Sequence, residues 1–316
     1  MHSENDITVI KAINLKNKIM RVFVTGATGF IGTDIVKDLI VAGHQVFGLA
    51  RSEASANALI AAGAEVHRGD LEDIDSLRSG AAKSDGVIHA GFIHDFSRFQ
   101  EVCAVDKVAI ETISEVLAGS DSPFIVTSGT ALVSPGQLAT EGIIPAPGAT
   151  RFPRMSEQAA DAAAALGVRA SVLRLSPSVH GNGDKGFVPT LINIAKQKGI
   201  SAYIGEGLNR WNAVHRTDAA HLFTLALENA KAGARFHAVA EEGIAFKSIA
   251  ESIGKHLNIP IVSIAPEQAA EHFGWFAAFA GIDCPASSKI TRETLNWQPV
   301  RPTLLEDMEH AGYFNN

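Results

Sequence analysis

VFVTGATGFIG, residues 22–32, sets three glycines between a short apolar run and an amphipathic stretch. Val22 to Thr25 reads as a buried strand. Phe30 to Ala42 reads as a helix, with Ile31, Ile35, Leu39 and Ala42 on one stripe and Gly43 as its stop. Between a strand and a helix the glycines have separate tasks: Gly26 permits the tight turn, Gly29 lets backbone approach a pyrophosphate, and Gly32 lets helix and strand pack closely. The helix N-terminus then turns its unpaired N–H groups and positive dipole end toward the phosphates. Gly26, Thr28, Gly29, Phe30, Ile31 and Gly32 are therefore expected to cradle a dinucleotide. A glycine-rich turn with no ligand is the competing reading.

The pattern continues outward from this unit. Gln45 to Ala50, Glu65 to Arg68, Val87 to Ala90, Phe124 to Thr127 and Ala170 to Leu175 read as short buried strands. Between them lie helical patterns from about Ala54 to Ala62, after Asp73 as a cap, from Lys107 to Ala118 and from Ser156 to Leu166. This alternation predicts an α/β fold, a doubly wound parallel Rossmann-type sheet. Ser134 to Pro153 is rich in Pro and Gly and reads as a long loop beside the site. After Pro177 the pattern becomes irregular, which predicts a smaller C-terminal substrate lobe. The expected division is a flexible extension over 1–19, a dinucleotide-binding domain over 20–180 and a lobe over 181–316, with segments around 212–240 returning to the first domain.

Bulk properties narrow the function classes. The chain has 316 residues, 46% hydrophobic and 19% charged, enough apolar material for a large core. A net charge of −7 without a basic stripe argues against nucleic acid as a partner. Two cysteines, Cys103 and Cys284, make neither a disulfide framework nor a metal-type pair, so a reducing, cytoplasmic setting is expected. Charged residues interrupt the first nineteen positions, leaving no apolar core long enough for a signal peptide or membrane span, so neither is expected there. Met20 would make a natural start; a loosely ordered extension, a mis-assigned start codon and a weak transit peptide are the readings of what precedes it.

The end of the second strand decides which dinucleotide is favoured. That position normally presents an acidic residue to the ribose hydroxyls of NAD, but here the sequence offers Arg51 and Ser52. This favours NADP, with NAD the alternative: an arginine hydrogen bond to the 2′-phosphate is worth about 1.5–3 kcal/mol, or one to two decades in affinity. The competing reading of Arg51 is an exposed loop cation. By position, Asp70 and Leu71 are expected beside the adenine, with Ala90, Gly91 and Ser128 also lining the cofactor.

Taken together, TGATGFIG, RGDLED, VIHAG, VDKVAIETI, FIVTSG, VLRLSPSVHGNGD, VHRTDAAHL and the closing SSKITRETLNWQP resemble the extended short-chain dehydrogenase/reductase superfamily, in its NAD(P)-dependent epimerase/dehydratase branch. The resemblance runs from Met20 to nearly the end. It implies a tetrad of Asn, Ser, Tyr and Lys, in which tyrosine exchanges the substrate proton, lysine lowers its pKa and serine positions the oxygen. The sequence departs at each position. Its tyrosines are Tyr203 and Tyr313, neither followed four residues later by lysine. Pro153 stands where tyrosine is expected, Glu157 where lysine is, Gly129 where serine is, and Asp106 where asparagine is. A positioned acid or base is worth about 10²–10⁴ in rate, so replacements matter. Thr130 as carbonyl donor, Arg154 as oxyanion stabiliser and His180 as proton donor are the catalytic candidates, with Asp106 as structural support. Their structural alternatives are a hydroxyl satisfied by backbone, a helix-entry cation paired with Glu157 or solvent, and a loop hydrogen bond.

Other residues read as follows. The histidines, His215 and His221 included, lack metal-ligand spacing, and no metal is expected. Asp218 is expected to cap the helix running to Glu228. Arg210 lies near where sugar-nucleotide relatives contact a diphosphate, with a surface salt bridge as the alternative. Trp211, Phe273, Trp275, Phe276 and Trp297 are expected in the core of the small lobe. The resulting expectation is an NADP-dependent oxidoreductase acting on a small carbonyl or alcohol. A sugar-nucleotide epimerase or dehydratase and a non-catalytic NADP-binding sensor are the alternatives. Monomer and homodimer are both compatible with the sequence.

Overall fold

The strand and helix patterns of the first 175 residues set the architecture, and the remainder is built against it. The computed structural model describes residues 19–95, 98–145 and 153–314. The expected extension before Ile19 and the second half of the Pro/Gly-rich loop lie outside them. In chain order come β1 (Arg21–Thr25), α1 (Gly32–Val41), β2 (Gln45–Ala50), α2 (Glu53–Ala61), β3 (Glu65–Arg68), α3 (Ile74–Ala82) and β4 (Gly86–His89). Then follow α4 (Phe99–Leu117), β5 (Phe124–Gly129), α5 (Ser156–Ala165), β6 (Ala170–Leu175), β7 (Ser178–His180), α6 (Phe187–Lys198), β8 (Ser201–Ile204) and β9 (Arg210–His215). The chain closes with α7 (Arg216–Asn229), β10 (Arg235–Ala238), β11 (Glu241–Ala245), α8 (Phe246–Leu257), β12 (Ile261–Ile264), α9 (Ala269–Phe273), α10 (Ala277–Ala280), α11 (Lys289–Leu295) and α12 (Leu304–His310).

Seven strands form one sheet in the order β3-β2-β1-β4-β5-β6-β10, every neighbouring pair parallel. This is the α/β, doubly wound Rossmann-type sheet expected from the sequence. The chain steps outward from β1 to β3, then returns to place β4 on the other side of β1. The crevice outside the carboxyl ends of β1 and β4 is thus the topological switch point, where such sheets take their ligands. Parallel strands covered by helices on both faces must be apolar throughout, and Val22, Phe23, Val24, Val87 and Ile88 are fully buried. Beyond β6, a three-stranded sheet (β11-β9-β7) and a pair (β12-β8) enclose a second core with Trp211, Phe246, Phe273 and Phe276.

Several boundaries differ from the sequence reading. The first helix begins at Gly32 rather than Phe30, because a tight turn with Gly29 N donating to Gly26 O occupies the preceding residues. The helix expected from Lys107 starts two turns earlier, at Phe99. Its buried stripe of Val102, Cys103, Asp106, Ala109, Ile110, Ile113 and Leu117 includes an aspartate, which breaks the apolar periodicity. The α7 helix is capped by His215, whose Nδ1 accepts from Thr217 N at 3.2 Å, not by Asp218. Asp218 instead accepts from Val300 N and Arg301 N, tying the final segment to α7. Trp275 is 56% exposed, since it lies on a short turn outside the second core. Trp297 belongs to the first core, where its Nε1 donates to Asp218 O.

Candidate functional site

The switch-point crevice is lined by residues that have no room for side chains. Gly26 has φ +67°, and a Cβ there would come within 2.7 Å of Ala90 O and Gly91 N. A Cβ on Gly32 would lie 1.9 Å from Gly26 O, which only a backbone shift could relieve, and one on Gly29 would lie 3.1 Å from it. A Cβ on Gly91 would approach Leu71 Cδ2 at 3.1 Å, so 26–32, 71 and 90–91 meet at one place. Thr25 Oγ1 accepts from Gly91 N at 3.1 Å and fixes β1 against β4. No side chain caps α1; Thr33 N and Asp34 N donate instead to Gly29 O at 3.1 Å and Ile31 O at 3.0 Å, so the turn closes on its own backbone at the helix start. The Asp70 carboxylate accepts from Glu72 N at 3.0 Å and holds the bend after β3.

Arg216, at the start of α7, braces this cradle, and sequence spacing did not reveal it. Its guanidinium lies 4.3 Å over the Phe30 ring and donates to Thr33 Oγ1 at 2.7 Å, to Asn182 O at 2.9 Å and to the Asp34 carboxylate. One side of Phe30 is therefore covered by protein.

At the end of β2, Arg51 is exposed and has no hydrogen-bond or ion-pair partner among the described residues. Ser52 caps α2, its Oγ accepting from Ser55 N at 3.2 Å. The Ser55 hydroxyl also lies 3.1 Å from Ser52 Oγ and 3.3 Å from Thr28 Oγ1, so three hydroxyls gather between the glycine turn and Arg51. The nearby Glu53 carboxylate is paired with Arg68 at 2.7 Å.

Asp106 and Glu157, which the sequence reading puts at tetrad positions, each belong to a buried network. In the first, Arg154 Nε donates to Ser156 Oγ at 2.8 Å, Ser156 Oγ donates to Asp106 Oδ2 at 2.5 Å, and Asp106 Oδ1 meets His89 Nε2 at 3.2 Å. His89 Nδ1 continues to Thr25 Oγ1 at 2.9 Å. Burial alone would raise the Asp106 carboxyl, but the His89 contact and the Arg154 and Ser156 partners hold it below its ordinary value. In the second, Glu157 accepts from Ser128 Oγ at 2.7 Å and from Arg174 Nε and Nη2 at 2.9 and 2.7 Å. Burial pushes Glu157 up and the Arg174 pairing overrides it, so its carboxyl also titrates low. Arg174 Nη1 reaches His237 Nε2 at 3.1 Å; His237 Nδ1 therefore carries the proton and donates to Ser287 O at 2.7 Å.

These networks change several expectations. Ser128 gives its hydroxyl to Glu157, leaving only its backbone for a cofactor. Thr130 is 1% exposed, with Leu175 O at 3.2 Å and Asn212 Oδ1 at 3.0 Å as its acceptors, so it has no hydroxyl proton turned toward a substrate. His180 is fully buried with Nδ1 2.8 Å from Asp307, and burial holds its pKa below the ordinary value despite that partner; a side chain sealed from the crevice cannot pass a proton to a substrate. Arg210 forms a forked pair with Asp283, with Nη2 to Oδ2 at 2.9 Å. Of the three catalytic candidates, Arg154 alone is not fully buried: it is half-buried, with its guanidinium 4.4 Å over the Phe92 ring. Among the described residues no three His, Cys, Asp or Glu side chains gather as metal ligands would, and no helix is long and apolar enough to cross a membrane.

A glycine cradle at the switch point of a doubly wound sheet defines a dinucleotide-binding α/β protein. The family follows from comparison: residues 22–240 match the NAD dependent epimerase/dehydratase family, and the chain belongs to it. An uncharacterized protein of Schizosaccharomyces pombe is 54% identical over 297 residues, 93% of this chain and 100% of that protein. An uncharacterized protein of Saccharomyces cerevisiae is 47% identical over 299 residues, 94% of this chain and 100% of that one. More distant relatives are named as a dehydrogenase, a reductase and an epimerase. Among solved structures, a dTDP-glucose 4,6-dehydratase of Streptomyces venezuelae, determined with NAD bound, superposes with TM-score 0.73 at 16% identity, covering 94% of this chain and 97% of that one. The fold is thus shared with nicotinamide-dependent enzymes.

Proposed function

We propose that this protein is an NADP-dependent oxidoreductase that interconverts a small carbonyl compound and its alcohol. The observation that carries the reading is the uncommitted Arg51, beside the Thr28, Ser52 and Ser55 hydroxyls at the edge of the glycine cradle. A 2′-phosphate there would meet a cation and hydroxyl donors, with the neighbouring Glu53 already neutralised by Arg68. The cradle itself fits a pyrophosphate, since its glycines carry no side chains between a ligand and the backbone at the start of a helix whose dipole favours an anion. When bound, NADPH supplies a hydride to the carbonyl carbon, the oxygen takes up a proton, and NADP⁺ and the alcohol remain.

The chain's own part is to bind, orient and stabilise charge. Arg154 stands at the carboxyl end of β5, donating to Thr127 O at 3.1 Å, and offers a guanidinium to the substrate oxygen. Asp106 and Ser156 hold that guanidinium in place. On this reading residues 20–180 hold the nucleotide and 181–316 supply the substrate side. The pairing of β10 with β6 supports the return of 212–240 to the first domain. Two buried free thiols fit a reducing compartment such as the cytoplasm.

Calorimetric titration of NADPH and NADH into the wild type and Arg51→Ala tests the cofactor assignment. NADPH should bind at least tenfold more tightly, and Arg51→Ala should erase the difference. Equal affinities in the wild type, or no binding of either nucleotide, would overturn it. A screen of carbonyl compounds with NADPH follows; binding without consumption of NADPH by any of them would favour a sensor over an enzyme.

A further inference from the structure

Arg154 differs from the other well-buried arginines of the molecule in what it pairs with. Arg174 faces Glu157, Arg216 faces Asp34, and Arg235 faces Asp161, each within 2.7 Å. Arg154 is half-buried, yet its partners are the Ser156 hydroxyl, the Thr127 carbonyl and the Phe92 ring, all neutral. No carboxylate among the described residues lies within ion-pair distance of it. Asp106 is kept one step away, because Ser156 stands between them and donates to its Oδ2. The arrangement fixes one edge of the guanidinium through Nε and Nη2 and leaves Nη1 without a partner among the described residues.

The location gives this charge a meaning. Thr127 O, which accepts from Arg154, belongs to a residue whose Oγ1 donates to His89 O at 2.7 Å, at the end of β4. Ala90 and Gly91 follow directly and abut Gly26, and Phe92, on which Arg154 stacks, is next in the chain. The guanidinium is therefore anchored to the same strand ends that form the cradle. Asp106 offsets this charge only from a distance, through Ser156, and an anion entering the crevice would pair with the open edge directly, with hydrogen bonds stronger than neutral ones.

We infer that the substrate is a carboxylate, an oxo acid and its hydroxy-acid counterpart, whose carboxyl group pairs with Arg154. The inference rests on reading the crevice as the substrate end of a nucleotide site, and its test is chosen to be separable from that reading. Arg154 pairs with the carboxylate and, through the same open edge, with the neighbouring carbonyl oxygen; Ser156 and Asp106 are positioning residues that keep it in place.

The test is calorimetric titration of 2-oxobutyrate and acetoacetate, and of their neutral methyl esters, into the full chain. It is run with saturating NADP⁺, so that no oxo acid turns over, and again without nucleotide. At least one acid should bind tenfold or more tightly than its ester. Arg154→Gln should erase the preference while unfolding as cooperatively as the wild type, and Arg154→Lys, which keeps the charge but not the fork, should keep part of it. Equal binding of acids and esters, no binding of either acid, or a preference that survives in Arg154→Gln would overturn the inference. If NADP⁺ itself fails to bind, the cofactor reading falls, and the acid preference measured without nucleotide still decides this one.

Discussion

Removing Arg174 is expected to destabilise the protein by about 3–5 kcal/mol, because the change strands a buried carboxylate. Arg174 is fully buried, and Glu157 is 7% exposed. The guanidinium donates to both Glu157 oxygens, to Ile143 O at 2.9 Å and toward His237 Nε2 at 3.1 Å. Among the described residues, Arg174→Met would leave Glu157 the Ser128 hydroxyl and the Arg235 guanidinium, 3.6 Å away and already engaged with Asp161. Glu157→Leu combined with Arg174→Met removes the charge together with its partner. The double variant should therefore recover at least half of the loss, keeping a cost of about 1–2 kcal/mol for the unpaired Ser128 and His237. Urea unfolding of the wild type, both single variants and the double variant at pH 7 closes the cycle. A coupling energy above about 2 kcal/mol is expected, and additivity to within about 0.5 kcal/mol would refute the argument.

Burial and the Arg174 charge press His237 down to about 4, against about 6.5 in an unfolded chain. The unfolded state then binds more protons between these values, so stability is complete above pH 6.5 and falls by about 3 kcal/mol as pH drops toward 4; urea midpoints across this range should show a step that His237→Asn lacks. Gly32→Ala should abolish nucleotide binding and cost about 1–3 kcal/mol in thermal unfolding, since its Cβ would lie 1.9 Å from Gly26 O; unaltered affinity would contradict the close packing. Burial raises the Asp184 carboxyl to about 6 against the hydrogen bonds from Gly186 N and the Tyr313 hydroxyl. Tyr313→Phe should raise it further, as read by carbon-13 NMR titration, and a fall would refute the role of that hydroxyl.

The cradle was legible in the sequence because its constraints are local. Gly26 needs a positive φ and Gly32 needs the absence of a Cβ, and both lie within seven residues of one motif. The strands were legible because a parallel sheet buried on both faces demands uninterrupted apolar runs. The long-range pairs left no such trace. Glu157 and Arg174 lie 17 residues apart on α5 and β6, while Arg216 reaches Asp34 across 182 residues. Nothing in the spacing of either pair is periodic. The extra turns of α4 were hidden by Asp106, a polar residue in the apolar stripe that is buried because His89 and Ser156 satisfy it. Trp297 and Asp218 meet only after the final segment folds back on α7.

The substitutions at the tetrad positions make a coherent set once charge is followed through them. In the superfamily that the chain resembles, a lysine on this helix supplies the positive charge and a tyrosine moves the proton. Glu157, which the sequence reading puts at the lysine position, has its negative charge neutralised by Arg174 on β6. A half-buried positive charge stands three residues before it, on Arg154, where Ser156 and Asp106 hold it. An arginine does not give up its proton in a protein, so it stabilises charge at this place but cannot replace tyrosine as an acid. If Arg154 carries the stabilisation and solvent carries the proton, kcat for NADPH oxidation should show no ionisation near pH 8–10, the region in which tyrosine and lysine of a tetrad titrate. The assay is steady-state NADPH oxidation at saturating acid substrate from pH 6.5 to 10, with stability checked at each pH. A single ionisation in the upper part of that range would mean that a proton-transferring side chain does act at the crevice, and the division of roles argued for Arg154 would be wrong.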